Sequence, residues 1–244
     1  MSATALVTAL RLETRAALAA LARTRRIRPA ARPSWTGSAG TREIVVVQGG
    51  VGPAAAAAAV TAVPPAATLL GSVGFAGALE PLLVPGDVVV ASAIIWDDDG
   101  VLRRYEVAPA LVEALRRALD PVLARPASAG ILLSTPSILA GVAAKRAAYE
   151  RHDAVAVEME AAALARHATA RGMPLFALRV VLDPATLSLE DLPPNLDSSW
   201  AARARLATTP GVWPLLGTLR RHADVAGRAL TVALRAALPA VPPP

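Results

Sequence analysis

Short apolar runs rich in β-branched residues alternate along the chain with alanine-rich stretches whose charges recur at helical spacing. Runs of the first kind read as strands buried on both faces, and stretches of the second kind as the helices that cover them. The pattern therefore predicts an α/β fold: a single domain over residues 1–239, with a mixed, mostly parallel central sheet flanked by helices in a three-layer sandwich. Strands are predicted over Ala5–Leu10, Ile44–Val47, Thr68–Val73, Asp87–Ile94, Gly130–Leu133, Ala154–Val157 and Leu175–Val181. Helices are predicted over Glu13–Ala22, Pro53–Val63, Ala108–Leu119, Leu139–Tyr149, Met159–Arg171 and Gly211–Leu238. Pro53 and Pro109 fall in first turns, where a missing amide costs little. Residues 183–209, with Pro184, Pro193 and Pro194, read as a long loop of the kind that often serves as a lid. Ala240 to Pro244 reads as a disordered tail.

Composition narrows the functional classes. With 54 % hydrophobic and 18 % charged residues, the chain of 244 residues is too apolar to be disordered over most of its length. Four Trp, two Tyr and two Phe are too few for the stacking platforms of single-stranded nucleic-acid binders, so no nucleic-acid partner is expected. The absence of cysteine removes disulfides, thiolate metal sites and cysteine nucleophiles. His152, His167 and His222 lack ligand spacing, so no metal is expected. The net charge of +6, carried mostly by arginine, favours anionic partners.

Ile44 to Leu79 carries no charge, yet its six glycines, its prolines and its alanine-dominated apolar content argue against a membrane span. Ala3 to Leu10 has no basic residue before it and lacks a signal-peptide layout, so a cytoplasmic protein is expected. The last helix sets Arg220, Arg221, Arg228 and Arg235 among leucines. Two readings stand: packing on the sheet with a solvated arginine face, or lying on an anionic membrane.

Several segments carry candidate chemistry. Gly49-Gly50-Val51-Gly52-Pro53 precedes a helix and offers backbone amides to an anion. It is neither a Walker loop nor a dinucleotide fingerprint. Gly71 to Leu79 ends the next strand, where ligands of α/β sheets bind, and its small residues permit close approach. In Val155 to Glu160 two carboxylates, Glu158 and Glu160, flank Met159 at a strand end. Such a pair can hold a diol, although helix N-termini favour acids through the dipole alone. Arg179 is enclosed by apolar residues and requires a carboxylate; Glu160 or Glu13 is the expected partner.

GGVGPAAAAAAV, GSVGFAGALEPLLVPGDVVVA, VAVEMEAAALA and FALRVVLDPA occur in an order and spacing that resemble the nucleoside phosphorylase/nucleosidase superfamily, over roughly residues 5 to 185. Members include purine nucleoside phosphorylases and methylthioadenosine/adenosylhomocysteine nucleosidases. DPATLSLEDLPP and the segment after it look most like the hopanoid-associated phosphorylases, which are proposed to remove adenine from adenosylhopane.

The resemblance implies roles residue by residue. Glu13 takes the place of a glutamate that positions the nucleophile, and Asp183 that of the acid protonating the purine. Arg179 matches the arginine supporting the carboxylates. Met159 packs under the ribose, and Glu160, with Glu158 beside it, takes the sugar hydroxyls. Ile138 and Leu139 fall against the base, while Phe75, Ala76 and Gly77 line the substrate. Arg11, Gly50 and Ser72 are the phosphate candidates.

Leu182 stands where a hydroxyl residue is common, Phe75 where a small polar one is, and an arginine of many phosphorylases is missing at Leu70-Gly71. The nucleophile, inorganic phosphate or water, thus stays open, and no other cofactor is implied. The implied partner is a small-molecule or lipid-linked nucleoside, with a homodimer and peripheral contact at the inner membrane face. The alternatives are a methylthioadenosine/adenosylhomocysteine nucleosidase and a non-catalytic nucleoside-binding domain.

Overall fold

A computed structural model describes residues 3–98, 101–192 and 212–241. Its strands, in chain order, are β1 Ala3–Thr8, β2 Ala22–Arg26, β3 Ser34–Ala39, β4 Arg42–Gln48, β5 Ala67–Ala78, β6 Val88–Asp98, β7 Val101–Glu106, β8 Ser128–Ser134, β9 Ala154–Glu158 and β10 Leu175–Asp183. The helices are α1 Arg11–Ala19, α2 Pro53–Ala59, α3 Pro109–Leu119, α4 Val142–His152, α5 Ala161–Ala170 and α6 Trp213–Ala240. Among the described residues, all ten strands join one mixed sheet, in the order β10-β6-β8-β9-β5-β1-β4-β3-β2 with β7 on β6.

Alternation along the central strands explains the layering. Leu6 of β1 and Ile44 and Val46 of β4 face one apolar layer; Ala5, Val7, Val45 and Val47 face the other. The first layer is closed by α1, α3 and α6, the second by α2, and α5 contributes Ala161, Ala162 and Ala165 to the first and Leu164 and Ala168 to the second. Both faces being covered, these strands read as unbroken hydrophobic runs. The alanine-rich α2 and α5 lie on the same side, and their small side chains let Ala56, Ala59, Leu164 and Ala168 share one core.

β5 is the pivot. It runs parallel to β1 and to β10 and meets β9 antiparallel through Gly77 and Ala78. Because β10 also pairs with β6, strands β5, β10, β6, β8 and β9 close into a ring. Its glycines make the crossing feasible: a Cβ on Gly71 would lie 2.5 Å from Phe176 and 2.6 Å from Leu6.

The α/β sandwich agrees with the sequence pattern, while several boundaries shift. β1 stops at Thr8, freeing Ala9 and Leu10 for a turn, and α1 ends at Ala19 because Ala22 opens β2. β2, β3 and β7 have no counterpart among the predicted strands. β2 reads ARTRR and is fully exposed, and β7 exposes nearly all its residues, so neither shows an apolar run. α5 begins at Ala161, two residues after the predicted start, which leaves Met159 and Glu160 in the turn before it. α6 buries Ala226, Leu230, Ala233, Leu234, Ala237 and Leu238 against the domain while its four arginines stay exposed, the packing alternative of the two. Ala240 completes α6 and Val241 is buried, with its carbonyl accepting from Arg42 at 2.6 Å. The rest of the predicted tail, and the loop beyond residue 192, lie outside the described residues. No helix among the described residues is long and apolar enough to cross a membrane.

Candidate active site

The C-terminal end of β10, the second half of β5, the β9–α5 turn and the β1–α1 turn surround a cavity of about 210 Å³. Of the site residues expected from sequence, Asp183, Glu13, Glu158, Met159, Glu160, Phe75, Ala76, Gly77, Ile138 and Leu139 line it. Val51, Leu10, Leu189, Leu192 and Leu219 complete a wall that is mostly apolar.

Glu13 is buried at the third position of α1. Its Oε2 accepts from the backbone amides of Ala9 (2.8 Å) and Leu10 (2.7 Å), and Oε1 accepts from Phe75 N (2.8 Å). The carboxylate thus turns back over its own helix N-terminus, where a negative charge is favoured. Burial nevertheless dominates and raises its pKa, with the amides and Arg179 pulling the other way. Room for it is made by Gly74, where a Cβ would lie 2.5 Å from Glu13 Oε1. Gly77 does the same for Asp183, at 2.9 Å from Oδ2. Three residues along a strand span about 10 Å, so β5 seats these two carboxylates at separate points of one cavity.

Arg179 is partnered by Glu158 (2.6 Å) and Ser72 Oγ (2.7 Å), not by Glu160 or Glu13 as expected. The reason is register: β10 lies beside β5, and β9 ends across the same opening, so the Glu158 carboxylate reaches the guanidinium. Glu158 also accepts from the amides of Glu160 and Ala161 and from Ser134 Oγ. With both oxygens engaged it supports the β9–α5 turn, and Glu160 alone of the pair is left to meet a ligand. Ser72 is likewise occupied by Arg179. Arg11 is exposed and lines neither this cavity nor the smaller one described next, which corrects its assignment to phosphate.

That second cavity, of about 10 Å³, lies among Glu13, Gly50, Ser72, Glu160 and Arg179. Arg179 Nε is buried there without a hydrogen-bond partner among the described residues. Space of this size accommodates about one water, and an orphaned buried donor calls for an oxygen to fill it. Gly52 adopts φ +92°, a left-handed conformation that glycine tolerates, and so aims its amide at Glu160 Oε1 (2.7 Å).

Burial and the neighbouring Glu158 charge raise the Glu160 pKa to about 8, against the pull of Arg179 and of the Gly52 amide. Between the ordinary 4.5 and about 8 the folded protein therefore binds more protons than the unfolded chain, and stability falls as pH rises through that window. Glu13 contributes with the same sign. Glu160→Gln is expected to flatten part of the decline in Tm across this range, measured by thermal denaturation at stepped pH. Parallel wild-type and mutant curves would contradict it.

Sequence reasoning missed Lys145. It stands in the first turn of α4, wholly buried, with Nζ 2.5 Å from Asp183 Oδ2. KRAAYERH carries no apolar periodicity that would mark one of its charges as internal.

The arrangement combines a buried carboxylate beside a water-sized cavity, an acid at the far end of an apolar cleft, and a carboxyl between them at a backbone turn. The phosphorylase superfamily profile matches residues 3–208, and the chain belongs to that superfamily. Among solved structures, the S-adenosylhomocysteine nucleosidase of Streptococcus pyogenes, in complex with 5-methylthiotubericidin, is similar with a TM-score of 0.78 and 23 % identity, covering 99 % of this chain and 98 % of that one. The 5′-methylthioadenosine/S-adenosylhomocysteine nucleosidase of Colwellia psychrerythraea, in complex with adenine, gives 0.78 and 19 %, covering 99 % and 96 %. A futalosine hydrolase mutant of Helicobacter pylori gives 0.71 and 17 %, covering 96 % and 98 %. At these identities the likeness is one of fold. A search of curated protein sequences found no match.

Proposed function

We propose that the protein hydrolyses the N-glycosidic bond of an adenine nucleoside carrying a large apolar 5′ substituent, of which adenosylhopane is the example suggested by the sequence resemblance. The observation that carries the 5′ assignment is the rim of the cleft. Leu10, Val51 and Ile138 line the cavity yet remain 39 %, 49 % and 37 % exposed, so an apolar surface runs from the site outward. Covering it with an apolar substituent is favourable at roughly 25 cal/mol per Å². The exposed arginines of β2 provide charge that suits an anionic lipid surface, the source of such a substrate.

In this reading adenine sits near Ile138, Leu139 and Phe75, and the ribose lies over Met159 with its hydroxyls on Glu160. The leaving group is an adenine anion, so Asp183 delivers a proton to the base nitrogen as the bond breaks. Water in the small cavity attacks the sugar carbon and gives its proton to Glu13, whose raised pKa suits it to accept one. Arg179 holds the attacking oxygen through Nε. Support for water over phosphate comes from the size of that cavity and from the engagement of Ser72.

Adenine release is the test, from adenosine, methylthioadenosine and a 5′-alkyl adenosine of long chain, with and without inorganic phosphate. Turnover in phosphate-free buffer and the highest kcat/KM for the long-chain nucleoside are expected. A strict phosphate requirement would make the enzyme a phosphorylase, and a preference for methylthioadenosine would assign it to the smaller substrate.

A further inference from the structure

Lysine buried to 0 % exposure needs partners for all three of its protons. Lys145 has them: Asp183 Oδ2 at 2.5 Å, the Leu187 carbonyl at 3.0 Å and the Pro184 carbonyl at 3.2 Å. Two of these contacts tie the segment after β10 to α4, and the third fixes the carboxyl that lines the cleft. A buried ammonium so placed costs desolvation that an alanine or leucine at this position would not. No packing need explains it, since the other residues of α4 are exposed or only half-buried.

We infer that Lys145 is a positioning residue and the proton reserve behind Asp183; the inference rests on the nucleosidase reading. A carboxylate alone has no proton to give. The pair does. As the carbon–nitrogen bond breaks and its electrons pass to the base, one proton moves from Lys145 Nζ to the Asp183 carboxyl and one passes from that carboxyl to the base nitrogen. The step leaves a neutral amine, a carboxylate and neutral adenine, so charge and protons balance. The proton taken up by Glu13 returns to solvent, and solvent recharges Lys145 once product leaves. On β10 the ammonium faces Asp183; from the following segment it meets carbonyls, while Glu190 there sits against Gly141 at the head of α4.

The test compares Lys145→Met with wild type on adenosine and on p-nitrophenyl β-D-ribofuranoside, whose phenolate leaves without a proton. The variant should lose about 10²-fold in kcat on adenosine and little on the nitrophenyl riboside. Equal losses on both substrates, or none on adenosine, overturn the inference. A double-mutant cycle on adenosine probes the shared path without the second substrate. Acting on one proton path, Lys145→Met/Asp183→Asn should be no slower than Asp183→Asn alone, whereas multiplying losses would refute a shared path. The double variant carries neither charge, and its thermal denaturation shows whether the fold survives. A wild type that releases no adenine from any nucleoside refutes the nucleosidase reading itself; an active wild type with an equally active Lys145→Met refutes only the role of Lys145.

Discussion

Asp183→Asn is expected to lower kcat for adenine release by about 10²-fold or more while leaving nucleoside affinity nearly unchanged. Asparagine keeps the shape of the side chain at the end of β10 and can still hydrogen-bond the base, but it cannot transfer a proton. Gly77 leaves space for a planar group of this size, so the substitution creates no clash. The lost interaction exists only in the transition state, which places the effect in kcat rather than KM. Steady-state kinetics with a competitive inhibitor measured in parallel separates the two. Undiminished turnover removes Asp183 as the acid.

Glu13→Gln is expected to cost turnover by about 10²–10⁴-fold and to lower stability as well. Its Oε1 and Oε2 receive three backbone amides, from Ala9, Leu10 and Phe75. A glutamine amide presents its own N–H groups to one side of that set, leaving a buried donor unpaired at about 1–3 kcal/mol. Gly74→Ala offers a separate route to the same defect. The new methyl would meet Oε1 at 2.5 Å, and because Glu13 is held by backbone the displacement falls on the carboxylate. Both variants should lose adenine release, with Gly74→Ala retaining Glu13 in name only. A fully active Gly74→Ala would show that the carboxylate need not sit where β5 seats it.

Period and composition along the chain were enough to read the layered α/β architecture. Continuous apolar runs such as IVVV in β4 demand cover on both faces, and alanine helices supply it. Arg179 and the Glu158/Glu160 pair stood out because charged residues beside such runs are costly unless used, whereas Glu13 and Asp183 were singled out by the resemblance to the superfamily. Their pairing was not. Which carboxylate Arg179 meets depends on the register of β10 against β5 and on where β9 ends, and sequence neighbours carry no trace of either. The same holds for β2, β3 and β7, which have no apolar run to announce them: β2 and β7 are exposed and each pairs with a single strand, while β3 forms by pairing between β4 and β2.

The sequence by itself determined the class of fold, the glycines that let β5 approach its neighbours, and the set of side chains available for chemistry. Only the tertiary structure decided which of them share a cavity. Lys145 lies 38 residues from Asp183 in the chain and reads locally as one more charge on a polar helix. Its meaning appears when α4 packs beside the end of β10, because the energy of a buried charge is set by its partners in space and not by its neighbours in sequence.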